Sequence, residues 1–136
     1  MKKYFVLAAL SGCAWALLAY ALSFGVFRAY VVGGIAASPL IGLMIGLLYL
    51  PAYKLPKWAQ GLLSLASLYF AAALFGLAAG IYDAARLIPN RGSIEVILET
   101  VITAVLGITI TGYVLLLWPL AFLNHRLLSR AFNPPR

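Results

Sequence analysis

The residues that could do chemistry are few and gathered in one place. All three acidic side chains, Asp83, Glu95 and Glu99, fall between positions 83 and 99, together with Arg86 and Arg91, and no other part of the chain mixes charges in this way. On a helix Glu95 and Glu99 stand one turn apart and share a face with Thr103, Gly107 and Thr111, so a polar-to-small stripe runs from the acids into an apolar segment. Ionisable groups within such a segment are costly and are read by default as functional, with a named partner. An ion or proton site built from Asp83, Glu95 and Glu99, with Arg86, Arg91 or a cation as partner, is one expectation. The structural alternative is that Ser93, Glu95 and Glu99 form a helix amino-terminal turn, where acids complement the dipole.

Catalytic sets are missing from the rest of the sequence. His125 is the one histidine, stands beyond span four beside Arg126 where a surface position at the inner headgroup level is expected, and the spacing around it assembles no Ser-His-Asp set. No HExxH, CxxC or phosphate-binding glycine loop with its lysine occurs. Cys13 is the single cysteine, which leaves no intrachain disulfide and no thiol pair. The expectation is a non-enzymatic protein with no metal and no cofactor.

The elements that must position these residues are long apolar helices. Residues 4–27, 29–53, 58–82 and 100–124 carry no charged side chain, and the chain as a whole is 65% apolar and 10% charged. Soluble domains run nearer 45–50% and 25%. A helix needs roughly 20 apolar residues to cross the ~30 Å hydrocarbon layer, and only helices or closed barrels satisfy their backbone there. Runs such as Val114-Leu115-Leu116-Leu117 do not alternate as barrel strands do. The fold expected is an all-α integral membrane protein: one domain, 1–136, a four-transmembrane-helix bundle with spans near 4–25, 30–50, 58–82 and 95–123.

Charge then orients the bundle, since cytoplasmic ends collect Lys and Arg. One side holds Lys2, Lys3, Lys54, Lys57, Arg126, Arg130 and Arg136, against Arg28, Arg86 and Arg91 on the other. Both termini are therefore expected in the cytoplasm, in a bacterial inner membrane. Tyr4, Tyr49, Tyr53, Trp58 and Trp118 would form an inner aromatic belt, Tyr30 and Tyr82 an outer one. The net charge of +7 is spread between spans rather than over one soluble face, which excludes nucleic acid as the expected partner. The amino terminus, with Lys2-Lys3 and Leu10-Ser11-Gly12-Cys13, has the outline of a lipoprotein signal, but residues 14–24 stay apolar where a mature lipoprotein turns polar. An uncleaved first helix is expected.

Small residues recur at four-residue spacing: Gly34, Ser38, Gly42 and Gly46 in span two, Ala72, Gly76 and Gly80 in span three, Thr103, Gly107 and Thr111 in span four. Such rows let helix backbones approach closely, within the bundle, in an oligomer or against another subunit. Ser38-Pro39 interrupts span two, which is either kinked or discontinuous there. The tail from Asn124 is expected to run out along the inner interface. In size and span count the chain is similar to small multidrug transporters and small fluoride channels, four-helix proteins that assemble as dimers. The likeness is one of architecture, because those transporters carry an essential glutamate in the first span and residues 4–27 hold no acid.

Two functions are compatible with this reading. One is a non-catalytic accessory subunit whose small-residue faces pack against lipids and other transmembrane helices. The other is a small oligomeric channel or transporter that uses Glu99 and the kinked second span.

Overall fold

In the computed structural model, which describes residues 1–22, 31–86 and 92–132, the chain is all-helical. Five α-helices follow one another: α1 Lys2–Leu22, α2 Val32–Tyr49, α3 Lys57–Arg86, α4 Ser93–Ile110 and α5 Tyr113–Phe132, with a 3-10 turn at Pro51–Lys54 between α2 and α3. Helices α1 to α4 are long and apolar enough to cross a membrane. Arg28, Tyr30, Arg91 and Arg136 lie outside the described residues.

Helix α2 is continuous through Pro39. Proline has no N–H for the carbonyl four residues back, here that of Ile35. The hydroxyl of Ser38 donates to that carbonyl at 2.7 Å, so the Ser-Pro pair closes the gap it opens and the helix does not break.

The break falls elsewhere. The span expected as one helix over 95–123 is interrupted at Thr111-Gly112, where Gly112 adopts φ 71°, and α5 sets off in a new direction. Left-handed backbone is ordinary for glycine and costs about 1 kcal/mol or more for other residues. Hydropathy runs unbroken through this point, so an apolarity profile reads one helix where there are two. Helix α5 continues through Asn124 to Phe132.

The helices meet in sequence order, α1 on α2, α2 on α3, α3 on α4, and α5 bridges back to α3 and α1. Two seams rest on glycine. Where α1 crosses α2, a Cβ on Gly12 would collide with the Ser38 carbonyl, and one on Gly42 would collide with the Ala8 carbonyl. Where α3 meets α4, a Cβ on Gly76 would lie 2.9 Å from the Thr100 carbonyl oxygen and from Val101 Cα, and one on Gly80 2.8 Å from Ile97 Cα. These approaches give dispersion contact along the whole seam, the main source of helix association in lipid.

A tyrosine cluster holds the other end of α1. Tyr4, 0% exposed, donates its hydroxyl to the Gly46 carbonyl at 2.7 Å and shares a 2.9 Å bond with Tyr53. Ala8, Leu43, Leu128 and Phe132 pack around it. Tyr4 and Tyr49, expected in an interfacial belt, are instead buried between helices, whereas Trp58 is exposed. Outside the candidate spans, burial pushes the Tyr53 hydroxyl above its ordinary pKa.

Candidate functional site

Of the acidic cluster the structure describes Asp83, Arg86, Glu95 and Glu99. Asp83 is 0% exposed, and among the described residues neither carboxylate oxygen has a hydrogen-bond partner. Arg86 turns away to the Tyr82 hydroxyl at 2.9 Å and over the Tyr82 ring. Glu95 and Glu99 are exposed on α4, while Arg91 lies outside the described residues. Helix α4 starts at Ser93 with Glu95 in its first turn, and Gly92 stands at the cap with no side-chain bond. Among the described residues no group of three His, Cys, Asp and Glu side chains could hold a metal ion.

What the fold builds instead is a cavity of about 570 Å³, to which all five helices contribute. That volume falls within the ~300–1,000 Å³ of small-molecule sites. Its shape follows from how α4 is held. Helix α4 packs along α3 and meets α5 at the break, with Val96 its one buried residue, so a space is left between α4 and α1. Thr103 and Thr111 line the cavity and are themselves exposed, which places its opening beside α4.

The small-residue rows serve seam and cavity together, with Gly42 and Gly76 in both. Gly46 meets Ala8 of α1, and Gly34 faces the Phe75 ring on α3. Ser38, Gly42, Ala72, Gly76, Thr103, Gly107 and Thr111 border the cavity, and a Cβ on Gly107 would find nothing within 4 Å. Of the residues expected to mark a conduction path, Ser38 borders the cavity; Pro39 and Glu99 do not.

The lining is graded in polarity. Ser38, Thr100 and Thr111 commit their hydroxyl hydrogens to carbonyls of their own helices, at 2.7, 2.7 and 2.5 Å, so the wall they form offers few donors. At the α5 side four polar residues converge. Ser11 donates to Asn124 Oδ1 at 3.0 Å, and Ser67 contacts His125 Nε2 at 3.0 Å. Ser67 also donates to the Ser64 carbonyl at 2.9 Å. A hydroxyl has one hydrogen, so with that hydrogen on the Ser64 carbonyl the ring N–H at Nε2 donates to Ser67 and the lone pair of His125 lies on Nδ1. That Nδ1 is buried and has no hydrogen-bond partner among the described residues.

Position, not chemistry, hid this group in the sequence. His125 was expected at a surface beyond span four, but α5 carries it inward to 4% exposure and stacks it on Tyr49, ring centroids 3.3 Å apart and 6° from parallel. Tyr49 in turn bonds Ser64 at 3.1 Å. Burial pushes the imidazole down to about 4, so the ring is neutral. The signal available was the row Leu117, Ala121, His125 and Leu128, the buried face of α5, opposite Arg126 and Arg130.

Compared with known proteins, the chain matches no family model, no curated protein and no solved structure.

Proposed function

We propose that this chain is an integral membrane protein of four spans, both termini cytoplasmic, that binds a small membrane-soluble molecule in the cavity between α1 and α4 without transforming it chemically. The observation that carries this reading is the cavity itself: about 570 Å³, bordered by all five helices, open on one side and, among the described residues, lined by no Asp, Glu, Lys or Arg. The positive-inside bias of the loops supports the orientation and a bacterial inner membrane. The test uses Trp15, which lines the cavity, in a Trp58→Phe, Trp118→Phe background. Added 1-bromododecane should quench its fluorescence saturably in detergent, and Gly107→Phe, which projects a ring into open space, should remove the saturable part. Quenching that stays linear in the wild type, or that survives Gly107→Phe, refutes the reading.

A second reading is favoured by α4. It has one buried residue, and Ile94, Leu98, Ile102, Leu106 and Ile110 form an exposed apolar row along it. A transmembrane helix of another subunit could lie there, which would make the chain an accessory subunit. That reading predicts a co-purifying membrane chain that is lost on Leu98→Lys with Ile102→Lys.

A further inference from the structure

We infer that the occupant of the cavity is one hydrocarbon chain of a membrane lipid. The chain enters sideways between α1 and α4 from the leaflet at the Arg86 end of α3, with its methyl end toward α5 and its head group left at the surface. The inference rests on the binding role proposed above and adds the class of ligand, its leaflet and its direction.

Contacts between helices fix where the cavity lies along the bundle. Helix α4 runs antiparallel to α3: Gly80 meets Ile97 and Thr100, Gly76 meets Val101 and Ala104, and the Tyr69 hydroxyl lies 3.1 Å from Thr109 Oγ1. Helix α4 therefore ends near the level of Tyr69, about 18 Å along α3 from Lys57 at 1.5 Å per residue. Below that level α5 takes over, bonded to Gly61 through Trp118, to Ser67 through His125 and to Ser11 through Asn124. From this end the lining continues to Leu22 on α1 and Ala79 on α3, about 17 Å of helix. Thr103 and Thr111, the exposed residues of the opening, stand about 12 Å apart along α4. The cavity is thus a slot parallel to the helices, closed below by α5 and slit along its side.

Shape favours a chain over a compact molecule. About 570 Å³ spread over about 17 Å leaves a slot roughly 6 Å across. Ala16, Ala19, Ala72, Ala79 and Gly107 keep it clear of long side chains. An aliphatic chain fills such a slot from end to end, and the chains of the surrounding leaflet already stand parallel to it. A compact ring system leaves part of the length empty, and an empty apolar void forfeits its dispersion contacts.

Polarity keeps the head group out. Among the described residues no Asp, Glu, Lys or Arg borders the slot, and Ser38, Thr100 and Thr111 bond carbonyls of their own helices. A charged or strongly polar group would lose its water there without replacement. Direction follows from the two ends. At the Ser67 end α5 lies in the way and Lys57 is about 15 Å off, whereas Ala79 is about 10 Å from the Arg86 end of α3.

The experiment reconstitutes the protein in vesicles of phosphatidylethanolamine and phosphatidylglycerol. These contain a trace of phosphatidylglycerol with a diazirine either beside the chain's ester or at its methyl end. After illumination, peptide mass spectrometry locates the adducts. The readout is at Ala79, Leu117 and Ala121, which line the slot and are buried from bulk lipid. The methyl-end probe should label Leu117 and Ala121, the ester-side probe Ala79. Gly107→Phe should lose these adducts and keep those on exposed Leu17 and Leu62. The order in the wild type decides by itself, whether or not the variant folds. A reversed order overturns the leaflet and direction. Absence of adducts at the three buried residues, with saturable quenching of Trp15 by 1-bromododecane intact, overturns the lipid chain and leaves the cavity reading standing. Failure of both overturns both.

Discussion

Gly76 and Gly107 stand on helices that pack against one another, yet they should respond oppositely to the same added methyl group. At Gly76 a Cβ lies 2.9 Å from the Thr100 carbonyl oxygen, Val101 Cα and Ala104 Cβ. Two of these atoms belong to the backbone of α4 and cannot rotate away, so α4 must shift. Overpacking of this kind costs about 1–3 kcal/mol. At Gly107 nothing lies within 4 Å and no such cost arises. The helix-propensity gain of Gly→Ala, up to about 1 kcal/mol, applies to both positions and cancels in the comparison. Gly76→Ala should therefore be about 1–3 kcal/mol less stable than Gly107→Ala. The loss should be felt mainly in α4, which has little to hold it besides α3. Unfolding in mixed micelles by increasing SDS fraction, followed by Trp fluorescence, gives the difference directly. Equal transitions, or a lower one for Gly107→Ala, would refute the argument that the α3–α4 seam depends on glycine.

Other consequences are as specific. His125 is neutral when folded and would be charged when unfolded below its ordinary pKa of 6.5, so the unfolded state takes up the proton and stability falls with pH. The groups facing it are Tyr49 from α2 and Ser67 from α3, with Arg126 exposed on its own helix. The window runs from about 6.5 down to about 4, and the total loss is about 3 kcal/mol at ~1.4 kcal/mol per unit. A pH series of micelle unfolding should show this slope in the wild type and lose it in His125→Phe. Tyr4→Phe removes the hydroxyl bonded to Gly46 and Tyr53 and should cost about 1 kcal/mol in the same assay. Gly112→Ala, at φ 71° with open space around it, meets backbone strain and no clash, and should also cost about 1 kcal/mol. Asp83→Asn should raise stability at neutral pH, because it replaces a buried, unpartnered carboxyl with a group that cannot ionise.

The sequence made the helices legible and the cavity not. Charge-free runs delimit α1, α2 and α3 because a charge within an apolar helix is expensive, and that cost acts locally. The Thr111-Gly112 break escaped because apolarity continues through it, and hydropathy measures solvent preference rather than backbone direction. Small residues at four-residue spacing can pack or can leave room. Gly76 does the first and Gly107 the second, and only the placement of α4 tells them apart. The acids drew attention by their rarity, yet Asp83 is buried and Arg86 bonds Tyr82, while the polar residues at one end of the cavity, Ser11, Ser67, Asn124 and His125, come together across more than a hundred residues of chain. Long-range convergence of that kind leaves no local pattern.

The central claim is that a membrane-soluble molecule occupies the cavity of this chain. The direct measurement is native mass spectrometry of the protein drawn from its own membrane in mild detergent, wild type beside Gly107→Phe. The account predicts a retained small-molecule mass on the wild-type chain that falls away in the variant, and extraction of that mass into organic solvent. An adduct-free wild-type chain, or the same adduct on both proteins, would contradict it.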